Sequence, residues 1–113
     1  MLKIVIMLKN TELKTLETDK ETITIGRNNN SDIQINNLGA SKKHAAITRQ
    51  NGSYFIEDFK STNGTLLNNE PITKATLSGN DVVTIGKHNL FVTIQEGRSA
   101  TQAFSEATIK ITP

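Results

Sequence analysis

The chain has 113 residues and a formal net charge of +2, from 13 Lys and Arg against 11 Asp and Glu, which suits one domain around a single hydrophobic core. The absence of cysteine excludes disulfides, thiolate metal sites and a cysteine nucleophile, and fits a reducing compartment. The basic residues are scattered apart from Lys42-Lys43, and aromatics are few, so the footprint of a nucleic-acid binder is missing.

The apolar run within Lys3–Leu8 is far too short to span a bilayer and carries no signal-cleavage pattern, so no membrane partner is expected. That run opens a series of short, β-branched segments bounded by turn residues: Leu2–Leu8, Leu13–Leu16, Thr22–Ile25, Ile33–Ile35, His44–Thr48, Tyr54–Asp58, Thr65–Leu67, Asp81–Ile85 and Leu90–Ile94. Asn- and Gly-rich stretches separate them, and these residues tolerate the positive φ that tight turns demand. Asn51-Gly52, between two such segments, predicts a type I′ hairpin. No long helical period occurs before residue 95. Many short strands at this spacing predict an all-β sandwich or barrel. From residue 96 onward the composition turns small and polar, so 1–95 is predicted to be the domain and 96–113 a tail or linker. Ile109 and Ile111 alternate with Lys110 and Thr112, a pattern compatible with a late strand.

Three clusters lie at the ends of predicted strands, where the loops of a sandwich gather into a site: Gly26-Arg27, Ser41-Lys42-Lys43-His44 and Ser61-Thr62-Asn63-Gly64-Thr65. Together they read as an anion site. Arg27 offers a permanent cation with a planar fork of donors suited to phosphate oxygens. Ser41 and Thr62 add hydroxyls and Lys42 a mobile charge. Asn63 carries both a donor and an acceptor, which suits holding a peptide main chain. Gly64 permits backbone shapes that other residues resist. A phosphothreonine, carrying about −1.5 to −2 charge, matches this set.

Enzyme readings are weaker. Ser41, His44 and Asp58 contain the residue types of a hydrolase triad, but no Gly-x-Ser-x-Gly elbow is present. Gly26–Ser31 lacks the glycine and lysine of a P-loop. Two histidines without nearby paired carboxylates make a poor metal site. No catalytic residue, metal or cofactor is expected. Asn29, Asn51 and Asn63 each begin a glycosylation acceptor triplet, and a glycan on Asn63 would block the candidate peptide clamp. A cytoplasmic location fits better.

The order Gly26-Arg27, Ser41-x-x-His44, Ser61-Thr62-Asn63-Gly64-Thr65 and Asp81-x-x-x-Ile85-Gly86 resembles the signature of the forkhead-associated (FHA) family over residues 2–95. The resemblance implies a β-sandwich of about eleven strands with its ligand site in loops at one end. It implies a phosphothreonine-binding module acting downstream of a Ser/Thr kinase. It also implies that Arg27 and Ser41 bind the phosphate with help from Thr62, that Asn63 holds the peptide main chain, and that His44 braces the loops. Lys42 stands where the family commonly has arginine, which keeps the charge but loses the fork. Gly39 and the turn predicted at Lys87-His88-Asn89 match regions that read the third residue after the phosphothreonine. The alternative is a phosphate-independent scaffold built on the same sandwich. In the tail, Thr101 and Thr108 each precede an apolar residue by three positions, so a phosphorylated tail could dock on its own or a neighbouring domain.

Overall fold

A computed structural model describes residues 1–95, all of whose regular elements are strands: β1 (Leu2–Leu8), β2 (Thr11–Thr18), β3 (Thr22–Gly26), β4 (Ile33–Gln34), β5 (Ala45–Gln50), β6 (Ser53–Asp58), β7 (Thr65–Leu67), β8 (Glu70–Ile72), β9 (Lys74–Thr76), β10 (Asn80–Ile85) and β11 (His88–Ile94). They form two sheets, one in the order β2-β1-β11-β10-β7-β8 and the other β4-β3-β5-β6-β9. Residues 96–113, with Thr101, Thr108 and the Ile109/Ile111 alternation, lie outside the described residues.

Period-two alternation builds the core. Leu2, Ile4 and Ile6 of β1, Leu90 and Val92 of β11, and Val83 and Ile85 of β10 point inward from the first sheet. Ile23, Ile25, Ile47 and Ile56 meet them from the second. Each is almost fully buried, and burying such a side chain stabilises by about 1.5–3 kcal/mol. The register Ile4↔Val92 and Ile6↔Leu90 stacks inward residues on neighbouring strands. A one-residue slip would turn that set toward solvent.

The turns set which strand ends meet. Asn51 (φ 53°) and Gly52 (φ 82°) make the type I′ link expected between β5 and β6. Asn68 (φ 51°) and Asn69 (φ 71°) repeat it between β7 and β8. The pattern alone predicts nine strands before residue 96, and the described residues form eleven. The additional β8 and β9 are three residues each, and Pro71 sits inside β8, so neither carries a legible alternation. The turn predicted at Lys87-His88-Asn89 is corrected. The link is Gly86-Lys87, with Gly86 at φ 61°, and His88 and Asn89 are paired with Ile85 and Thr84 in β11. His44 likewise precedes its strand instead of opening it. Among the described residues no helix is long and apolar enough to cross a membrane.

Candidate functional site

Arg27 leaves the end of β3 on a loop that is held at both ends. Its N–H donates to the Ser41 carbonyl (3.0 Å), and the Ile35 N–H donates to the Gly26 carbonyl (2.8 Å). Asp32 closes the same loop by accepting from the Thr24 N–H (2.9 Å) and hydroxyl (3.2 Å). The Lys20 ammonium and these Thr24 bonds hold the Asp32 carboxyl below its ordinary range. Gly26 is required by contact: a Cβ there would lie 2.2 Å from the Lys42 carbonyl oxygen. The β3 end and the Ser41–His44 segment can therefore press together backbone to backbone.

The Arg27 guanidinium donates through Nε to the Ala40 carbonyl (3.2 Å). Among the described residues its terminal nitrogens have no protein acceptor and no carboxylate pairs with it. The side chain is thus aimed by one bond while two donor groups of the fork remain available.

His44 ties the remaining loops. It is fully buried. Its Nδ1 accepts from the Ser41 N–H (3.0 Å), so its Nε2–H donates to the Gly64 carbonyl (2.9 Å). One ring thereby links the β4–β5 loop to the β6–β7 loop. Ser41 Oγ adds a second link by accepting from the Thr62 N–H (3.0 Å), which leaves the hydroxyl proton free to donate outward. Asn63 adds a third, its Nδ2 donating to the Gly39 carbonyl (3.0 Å). Gly39 packs against Gly86 of the β10–β11 link, where an added Cβ would meet the Gly86 Cα at 3.4 Å. Gly64 sits at φ 83°, the left-handed region that suits glycine. Lys42, Thr62 and Asn63 are exposed.

Asp58, at the end of β6, anchors the β6–β7 loop. It accepts from the Ser61 hydroxyl, the Ser61 N–H (3.1 Å) and the Thr65 hydroxyl (2.7 Å). The Ser61 oxygen in turn accepts from the Gly64 N–H (3.0 Å). Burial pushes the Asp58 carboxyl up, but the Ser61 and Thr65 hydrogen bonds outweigh it and leave the group below its ordinary range. The sequence places Ser61 in the third loop cluster without a role of its own and offers Asp58 only as a triad member. The Asp-x-x-Ser spacing, which lets a carboxylate cap its own following turn, was the available signal.

Ser41, His44 and Asp58 do meet, but not as a nucleophile and its base. His44 Nδ1 is occupied by the Ser41 backbone N–H, its Nε2 points to Gly64, and Asp58 Oδ1 lies 3.8 Å from Nε2. A base must reach the nucleophile's own proton. Among the described residues no cluster of three or more His, Asp or Glu could hold a metal ion. The structure thus gathers Gly26, Arg27, Ser41, Lys42, His44, Thr62, Asn63 and Gly64 at one end of the sandwich, joined by these loop-to-loop bonds.

The model of the FHA domain matches residues 23–86. The chain is 43% identical over 72 residues to an oxoglutarate dehydrogenase inhibitor of Corynebacterium diphtheriae, covering 64% of this chain and 50% of the relative. It is 38% identical over 72 residues to the glycogen accumulation regulator GarA of Mycolicibacterium smegmatis, covering 64% and 46%. The chain thus spans about half the length of these relatives. A structure from a study of phosphothreonine-dependent FHA domain interactions superposes with a TM-score of 0.72 at 25% identity, covering 82% of this chain and 97% of that one. The chain belongs to the FHA family.

Proposed function

We propose that this domain reversibly captures phosphothreonine peptides on proteins modified by a Ser/Thr kinase, as a cytoplasmic binding module and not as an enzyme. The observation that carries the reading is the unneutralised Arg27 fork, aimed by the Ala40 carbonyl beside the free hydroxyl proton of Ser41. In this reading Arg27 and Ser41 bind phosphate oxygens directly. Thr62 and the mobile ammonium of Lys42 contribute from the rim, and Asn63 holds the peptide main chain through its remaining amide groups. Gly26, His44 and Gly64 are positioning residues. FHA membership and the phosphothreonine-dependent neighbour support the ligand class. The two relatives are by name an inhibitor and a regulator, which supports a regulatory role for the whole protein.

The test is titration of the domain into an oriented phosphothreonine peptide library with phosphoserine and unphosphorylated controls. Binding of phosphothreonine is expected, with phosphoserine weaker because one methyl discriminates by only about 1–3 kcal/mol. Arg27→Ala should weaken binding by roughly ten- to a hundredfold, since a charged hydrogen bond contributes about 1.5–3 kcal/mol. A second reading, a phosphate-independent scaffold, rests on the outer face of the larger sheet. There Val5, Phe91 and Val82 stand in register, with Phe91 exposed over 44% of its surface. Partner binding that survives Arg27→Ala would favour it.

A further inference from the structure

Beside the β3–β4 loop lies a cavity of about 260 Å³, lined by Asn28, Ser31, Lys43 and Phe59 together with Ile25 and Ala45. Its size falls below the roughly 300–1,000 Å³ of sites that enclose a whole small molecule. It holds one large side chain. The lining includes one cation, Lys43, and no carboxylate. Phe59 leaves 45% of its surface uncovered, although a large aromatic gains most by burial.

The walls are rigidly joined to the candidate site. The Asn28 N–H donates to the Lys42 carbonyl (3.3 Å), and the Ser31 N–H donates to the Asn28 carbonyl (3.2 Å). The Phe59 N–H donates to the carbonyl of His44 (2.9 Å). Asn28 follows Arg27 in the chain and Lys43 follows Lys42, so the cavity begins where the phosphate-facing donors end. An extended peptide advances about 3.3 Å per residue. A chain anchored at Arg27 and Ser41 and running toward Asn28 and Lys43 would reach this cavity within a few residues.

We propose that this cavity is a second specificity subsite of the phosphopeptide site, taking an aromatic side chain that flanks the phosphothreonine and has an acidic neighbour. The inference rests on the phosphothreonine reading above. The ring of the incoming residue packs edge-to-face or offset on Phe59, the arrangement aromatic pairs prefer. Ile25 and Ala45 line the cavity from the core and are themselves almost fully buried, so the apolar contact falls on Phe59. Lys43 meets the acidic neighbour at the rim, and Asn28 and Ser31 offer polar partners to a tyrosine hydroxyl. Phe59 and Lys43 are specificity residues here, separate from the groups that hold the phosphate.

The experiment fixes phosphothreonine in a peptide library and varies each position within four residues on either side. Wild-type protein is expected to select Phe, Tyr or Trp at one position by roughly three- to tenfold, the size of an aromatic pair contact. Phe59→Ser should abolish that selection while phosphothreonine capture stays dependent on Arg27. Lys43→Glu should remove the preference for the acidic neighbour. Ser31→Trp, which fills the cavity from its rim and leaves Phe59 in place, should also abolish aromatic selection, so the conclusion does not hang on one variant's folding. Absence of aromatic selection, or selection unchanged in both Phe59→Ser and Ser31→Trp, overturns the subsite and leaves the phosphothreonine reading standing. Failure of the wild-type protein to capture any phosphopeptide overturns that reading and the subsite with it.

Discussion

Two ends of the sandwich are built with the same device and used differently. Asp58 at the ligand end and Asp81 at the start of β10, at the other end, are carboxylates wrapped by the loops they terminate. Asp81 accepts from the Asn68 amide (3.0 Å), the Ser78 hydroxyl (2.9 Å) and N–H (2.8 Å), and the Gly79 N–H (3.1 Å). Burial pushes its carboxyl up and these bonds outweigh it, as at Asp58. The Asp81 knot locks the β7–β8 turn onto β10, and among the described residues no cation pairs with it. The Asp58 knot sits under His44, which passes the constraint on to the Ser41 segment. The same loop chemistry thus closes one end and, with one buried histidine added, holds a set of unpaired donors open at the other.

The largest expected effect breaks that added tie. His44→Ala leaves the Ser41 N–H and the Gly64 carbonyl without partners, at about 1–3 kcal/mol each, and opens a cavity besides. A loss of roughly 3–5 kcal/mol in urea unfolding is expected, together with loss of phosphopeptide binding. A variant of wild-type stability would mean that the loops hold without the ring.

Next come the two aspartates, which test whether the ends are alike in stability and unlike in function. Asp58→Ala and Asp81→Ala should each destabilise by about 2–3 kcal/mol, because each leaves several donors unpaired. At a temperature where both remain folded, only Asp58→Ala should weaken phosphopeptide capture in a direct titration. Equal weakening by both would show that the site responds to global stability and not to its own loop. Arg27→Ala is the reverse case, with its ten- to hundredfold loss of binding but a change in unfolding free energy within about 0.5 kcal/mol, as for surface positions.

The sandwich was legible because its strands alternate: Leu2, Ile4 and Ile6, then Leu90 and Val92, read inward without any tertiary knowledge. The three loop clusters were legible as residue types at strand ends. Three things were not. β8 and β9 are too short to show a period: β8 exists as the return of a tight hairpin from β7, and β9 because β6, well back along the chain, supplies its partner. The demand for glycine at position 26 comes from a carbonyl sixteen residues later, a close approach that no local pattern encodes. Asp58 has the residue type of a triad member, while its actual partners stand three and seven positions downstream. Residue type is local information, whereas hydrogen-bond assignment depends on the assembled loops.

The smallest expected effect separates the two histidines. His88 points inward beside a cavity it shares with Lys14, Gln34, Asn36 and Asn37, and no carboxylate lines that cavity. Among the described residues its Nδ1 is buried without a hydrogen-bond partner, whereas both nitrogens of His44 are engaged. Burial holds the His88 imidazole below its ordinary 6.5, since charging it would strand a cation with only Lys14 for ionic company. The unfolded chain therefore takes up a proton first as pH falls through 6.5. With more protons bound unfolded than folded, stability rises with pH in this window and falls as pH drops, until the folded form is protonated too. Urea unfolding followed between pH 7.5 and 5 should show this slope in the wild type and a flatter one in His88→Phe, which keeps an inward ring and removes the titrating group. The two loop aspartates do not produce the slope there. Asp58 and Asp81 lie below their ordinary 3.8, so their contribution is lost only at more acid pH. An unchanged slope in His88→Phe would assign the effect elsewhere and remove the burial cost from His88.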